Sequence, residues 1–155
     1  DTRAMGRATV KSFDVKSRFV HFEFFRLLKD HEGLGRKDEL IGLEVNMRPS
    51  GGISPDMMNF SQSTDVYKIW ADMIAYDSSL RGIGQTAFCA FAGRRDGKNF
   101  VMSDGDVMHK YGANMKMSGR VADALFGAMG NQMYIANFNT KEEMDAFYND
   151  VLACR

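Results

Sequence analysis

Cysteine and histidine are scarce in this 155-residue chain. There are two cysteines, Cys89 and Cys154, and three histidines, His21, His31 and His109. Neither cysteine belongs to a CxxC pair, so buried free thiols are expected and neither is a candidate nucleophile. The histidines lack the paired spacing of a zinc site. There is no GxxxxGK[ST] phosphate loop among the glycines. Asp104-Gly105-Asp106 lacks the further acids and the closing glutamate of a calcium loop, and Lys37-Asp38-Glu39-Leu40 is internal, where a retention signal is not read.

Net charge is also absent. Twenty basic and twenty acidic residues cancel, and no Lys/Arg run leaves an electrostatic footprint for nucleic acid or an anionic membrane. No apolar run approaches the roughly 20 residues that span a bilayer, and no signal peptide opens the chain, so a cytoplasmic location is expected. What is present is ordinary globular material. At 45% hydrophobic and 12% aromatic residues, the chain can bury one core, and one compact unit is expected.

The pattern along the chain is mixed α+β. Apolar spacing predicts a helix over 4–16 and an aromatic, β-branched strand over 18–27, then a charged loop over 28–39. Ser54-Pro55 offers a helix start before 56–60. Ser63 or Thr64 then caps a longer helix to Tyr76, on which Val66, Ile69, Trp70, Met73 and Ile74 form a packing stripe. Trp70 reads there as core, as do most of the twelve methionines, whose thioethers fill gaps.

Beyond Tyr76, a strand over 85–92, a turn over 94–98 and a short strand over 99–102 read as a hairpin. Ser103 with Asp106 and Thr140 with Glu143 look like capping boxes opening helices over 104–111 and 141–153. Residues 131–138 read as another strand. Arg94, Arg95 and Lys98 form the one local basic cluster, either solvated at the turn or presented to an anion.

The densest chemistry lies in Glu44-Val45-Asn46-Met47-Arg48-Pro49-Ser50-Gly51-Gly52. In a strand, successive side chains alternate, so Glu44, Asn46 and Arg48 share one face and Val45 and Met47 the other. Glu23 is an isolated acid in the upstream strand. If Leu27 pairs with Leu40 in an antiparallel hairpin, Phe25 faces Gly42, Glu23 faces Glu44, His21 faces Asn46 and Phe19 faces Arg48.

Like charges directly opposed in a sheet repel unless something positive lies between them. Magnesium, a hard ion commonly held by one or two carboxylates plus phosphates and water, would resolve the conflict. Glu23, Glu44 and the Asn46 carbonyl supply its ligands, and Arg48 supplies a bidentate phosphate contact. Each acid taken singly has a plainer reading as a solvated residue on an exposed sheet face, with Arg48 neutralising the pair.

These residues resemble the C-terminal part of the ATP-grasp superfamily, whose members carry an acid on one strand and ExNxR, often followed by proline and glycine, on the next. The matches are Glu23 in HFEFF and Glu44, Asn46 and Arg48 in EVNMRPSGG. Similarity extends upstream through GRATVKSFDVKSRFVHFEFF, in the manner of carbamoyl-phosphate-synthase-like members, and downstream through SPDMMNFSQSTDVYKIWADMI, about half the chain in all. Glu23 and Glu44 lie further apart than is usual, which a longer hairpin loop accommodates.

The resemblance implies an α+β fold in which an antiparallel sheet is packed by helices. By that resemblance Glu23, Glu44 and Asn46 bind magnesium, or manganese, on ATP, and Arg48 contacts phosphate or an acyl-phosphate intermediate. The implied activity is ATP-dependent joining of a small-molecule carboxylate to an amine. The family's adenine-contacting subdomains precede the matched segment, so the chain is expected to be a C-terminal fragment of a longer protein. Residues 1–76 would carry the metal and phosphate core and 77–155 an α+β extension. The fragment alone would have little ligase activity, and it would favour a homodimer through the surface where the missing subdomains dock. The alternative is a non-catalytic interaction or regulatory domain that keeps the core without binding nucleotide.

Overall fold

The computed structural model describes residues 2–155. The class is α+β, with two small antiparallel sheets and six helices among the described residues. The chain divides into two compact units. One comprises the residues up to Pro55 and Val66–Arg81, the other Asp56–Asp65 and Gly82–Arg155. The division drawn from sequence at 76/77 therefore lies five residues before the Arg81 boundary, and 56–65 belongs with the second unit. No helix of the described residues is long and apolar enough to cross a membrane.

In the first unit, helix α1 spans Thr2–Ser12, shorter than the expected 4–16. It stops because Asp14 takes a left-handed conformation at φ 48°, with the Phe13 and Val15 amides folded back onto the Thr9 and Val10 carbonyls. Strands β1 (His21–Arg26) and β2 (Leu40–Asn46) form a two-stranded antiparallel sheet. Beyond it the ladder continues through Leu27 N–H to the Glu39 carbonyl and Asp38 N–H to the Leu27 carbonyl.

Helix α2, Ser54–Gln62, falls in the second unit from Asp56 onward, and α3, Val66–Tyr76, belongs to the first. Ser63 and Thr64, expected as caps, donate their hydroxyls to the Gln85 and Gly82 carbonyls. Trp70 of α3, expected in the core, is only partly buried and lies nearly parallel to Phe19, with ring centroids 6.3 Å apart. In the first unit only Leu27 and Val66 are buried hydrophobics among the described residues.

The second unit holds the larger core. Strands β3 (Phe88–Arg94), β4 (Met115–Arg120) and β5 (Gln132–Phe138) form a sheet in the order β3-β5-β4. Both outer strands run antiparallel to β5, so β3 and β4 are parallel to each other with β5 between them. Helix α4 (Asp104–Tyr111) connects β3 to β4, α5 (Phe126–Met129) lies between β4 and β5, and α6 (Lys141–Leu152) follows β5. With the one-turn α5 set aside, this β-α-β-β-α order is five of the six elements of a split β-α-β arrangement.

Period-two alternation on β5 sets Tyr134, Ala136 and Phe138 on one face, where they meet Val107 and Tyr111 of α4 and Phe147 and Val151 of α6. Phe147, fully buried, stands edge-on to Tyr111 at 5.1 Å. Truncating such a residue costs about 3–5 kcal/mol. Both capping boxes form, Ser103 with Asp106 and Thr140 with Glu143.

Three sequence expectations are corrected here. Residues 99–102 do not return along β3. Phe100 bridges Cys154, Val101 N–H donates to the Ala153 carbonyl, and Arg155 N–H to the Asn99 carbonyl, so the segment pairs with the end of the chain instead. Cys154 is exposed and Cys89 only partly buried. The basic cluster is not one surface: Arg94 is buried, Arg95 donates to the carbonyls of Phe126 and Gly127, the first two residues of α5, and Lys98 is exposed.

Candidate metal and phosphate site

Strand β1 places His21 and Glu23 on one face, and the register sets them directly opposite Asn46 and Glu44 of β2. These are the pairings expected from the sequence. A bulge follows at once: Glu23 pairs with Glu44 but Phe24 pairs with Gly42, leaving Leu43 as the extra residue. Past it Phe25 faces Ile41 and Arg26 faces Leu40, one place away from the expected Phe25–Gly42 and Leu27–Leu40 pairs. The bulge therefore moves the outer ladder and leaves the acidic pair in register.

The site opens to solvent. Glu23 and Glu44 are exposed, while His21 and Asn46 are partly buried. The Asn46 amide nitrogen donates to Glu44 Oε1, which fixes the carboxylate and leaves the Asn46 carbonyl oxygen without a donor among the described residues. His21 Nε2 lies 3.4 Å from Glu23 Oε1, and His21 Nδ1 is buried with no partner.

Arg48 departs from the expected arrangement. Strand β2 ends at Asn46, so the alternation that would carry Arg48 onto the same face stops two residues short. Its Nη1 donates to the Pro49 carbonyl at 3.0 Å, and among the described residues no ion pair joins it to either glutamate.

Among the described residues, no three His, Cys, Asp or Glu side chains gather closely enough to hold a metal by themselves. Two carboxylates and an amide oxygen are nonetheless the hard donor set that magnesium takes when phosphates and water complete its shell. The residues fit the ion in number and chemistry. The opposed like charges supply a reason for binding it.

Beside the motif, Arg18, Phe19, Met47, Trp70, Met73 and Ile74 line a shallow cleft in the same unit. Met47 places this apolar wall one residue beyond Asn46. Its sequence signal was weak, since Phe19 and Trp70 are separated by fifty residues and each reads alone as core. Asp72, which could have faced the site, instead accepts from Arg81 Nε at 3.1 Å and from Ser79.

Comparison with protein-family models, with curated proteins and with solved structures finds no significant match for this chain.

Proposed function

We propose that the chain is the C-terminal part of an ATP-grasp ligase, a cytoplasmic enzyme that uses magnesium-ATP to join a small carboxylate to an amine. The observation that carries this reading is the direct opposition of Glu23 and Glu44 with Asn46 hydrogen-bonded beside them. Glu23, Glu44 and the Asn46 carbonyl would hold the ion, magnesium or manganese. When bound, the ion neutralises charge on the ATP phosphates.

Arg48, exposed and held by one bond to Pro49, would exchange that carbonyl for the phosphoryl group in transfer, where a guanidinium opposes developing charge. The substrate carboxylate attacks the γ-phosphate to give an acyl phosphate and ADP, and the amine then displaces phosphate. Exposed Phe25, Leu43 and Val45 are apolar surface for the preceding subdomains or, in the isolated chain, for a homodimer.

A second reading, a non-catalytic interaction or regulatory domain that binds no nucleotide, is favoured by one observation: the Arg48 guanidinium is satisfied by backbone rather than by the acidic pair.

Isothermal titration of magnesium-ATP, with Glu44→Gln as control, separates the two. Magnesium-dependent binding that the variant loses supports the ligase. Absence of binding, both by the folded chain and by a longer chain carrying the preceding subdomains, rejects it.

A further inference from the structure

The second unit contains a cavity of about 320 Å³ whose polar lining includes Gln85, Asn114, Lys116, Asn137 and Asn139. Its volume falls in the range of small-molecule sites. All of its lining residues lie within the second unit, so the cavity stands independently of the metal and phosphate reading.

Its floor is rigidly built. Asn114 clamps the backbone of β5 from both sides, donating its side-chain amide to the Asn137 carbonyl at 2.9 Å and accepting the Asn137 N–H on its own carbonyl at 2.9 Å. Asn137 Nδ2 donates to the Phe60 carbonyl at 2.7 Å. That bond fixes the amide orientation and leaves Asn137 Oδ1 buried without a donor.

Around this floor, Gln85, Lys116 and Asn139 are exposed, their side chains make no hydrogen bond or ion pair to another of the described residues, and no aspartate or glutamate lines the cavity. One ammonium and several primary amides thus line one concavity, and the carboxylate beside it, Glu143, is held by the Asn139 and Thr140 N–H groups. A single ammonium calls for a single anionic group, and primary amides pair in two directions with groups that both donate and accept.

We propose that this cavity binds a small organic monocarboxylate carrying an amide, of about the size of one or two amino-acid residues. Lys116 receives the carboxylate, and the Gln85, Asn114 and Asn139 amides receive the rest. Phe138, at the cavity wall, supplies apolar contact.

The test is a titration of the whole chain with N-acetylglycine, read from the side-chain amide signals of Gln85, Asn114, Asn137 and Asn139 in ¹H–¹⁵N spectra. N-acetylglycinamide, which lacks the charge, is the control, and Lys116→Gln and Asn139→Ala are the variants. Lys116 is exposed on an edge strand, so its substitution leaves the core intact, and an unchanged backbone spectrum checks this. Saturable shifts with N-acetylglycine, about tenfold weaker in Lys116→Gln and with the uncharged control, and weakened in Asn139→Ala, are expected. No saturable shift at tens of millimolar overturns the site. Equal response to both probes, or an unaltered response in either variant, overturns the assignment of its ligand.

Discussion

Glu23 and Glu44 stand directly opposite one another in a two-stranded sheet, with the Asn46 amide drawn toward Glu44 and the His21 imidazole 3.4 Å from Glu23. Opposed like charges are destabilising, so Glu44→Gln should stabilise the chain in magnesium-free buffer by about 0.5 kcal/mol. Glu23→Gln should do the same, and the double substitution should add little, because the first removes the repulsion. Magnesium should raise the melting temperature of the parent chain and leave both variants unmoved. Thermal denaturation with and without the ion checks all of this, and identical curves would make the two carboxylates independent, solvated groups.

Arg94 and Asp104 make an unequal pair. The guanidinium side chain is 5% exposed and the carboxylate 68%, at 3.2 Å. Arg94 also donates Nε to the Val151 carbonyl at 2.8 Å and lies over the rings of Phe100 and Tyr134, which ties the end of α6 to the sheet. Removing one partner of a buried charge costs more than replacing the charge by a well-packed apolar group. Asp104→Asn should therefore destabilise by about 2 kcal/mol, discounted for the exposure of the carboxylate, and Arg94→Met by about 1 kcal/mol. Urea denaturation gives the order, and a milder Asp104→Asn would mean that the ring contacts and the Val151 bond suffice to hold the charge.

How much of this was legible in the sequence depended on how local each signal was. The two capping boxes need only four residues each and were readable as such. The Glu23–Glu44 pairing was readable because the polar residues recur at every second position on two strands joined by one loop. The bulge at Leu43 was not, since a single extra residue leaves the hydrophobic pattern on either side intact. Strand β4 was missed altogether. Its partly buried Met115, Met117 and Gly119 alternate with exposed Lys116, Ser118 and Arg120, but a bulge between Met115 and Met117 breaks the pattern, and methionine, serine and glycine carry little β propensity. The partner of 99–102 lies at the chain's last residues, a pairing that no turn signal encodes. The burial of Arg94 depends on Phe100, Tyr134 and Val151 together, none of them its neighbour in sequence.

Two glycines of the same stretch should respond very differently to alanine. A Cβ on Gly93 would lie 2.1 Å from the Met129 carbonyl oxygen, a backbone atom that cannot swing aside, whereas one on Gly97 would meet nothing within 4 Å. Gly97 sits at φ +82°, so its substitution costs only the left-handed conformation, about 1 kcal/mol. Gly93→Ala must push α5 from β3 and should cost about 3 kcal/mol. Comparable denaturation midpoints for the two variants would contradict this close approach.

Acid should weaken the second unit through Asp150. Hydrogen bonds from Lys110 and then Tyr111 hold its carboxyl below the ordinary 3.8. A carboxylate lowered in the folded state contributes stability that is fully present above its unfolded value and is lost as pH falls through the folded one. The denaturation midpoint should thus drop as pH descends below about 3.8, and Asp150→Asn should flatten that part of the profile while lowering the midpoint at neutral pH. A variant profile parallel to the parent's would remove Asp150 from the account.

Cys89 should be slow to react. Burial pushes its thiol from 9.0 up to about 11, against a smaller opposing pull from Lys116. The thiolate is the nucleophile, and a rise of two pH units reduces its population at pH 8 about a hundredfold relative to a thiol at 9.0. Iodoacetamide at pH 8 should therefore modify exposed Cys154 first, with Cys89 following only when denaturant opens the sheet. Lys116→Gln removes the one nearby charge that favours the thiolate and should slow Cys89 further while leaving Cys154 unchanged. Peptide mass mapping after timed alkylation reads both sites at once. Equal rates at the two cysteines in the folded chain would mean that the β3 thiol is open to solvent.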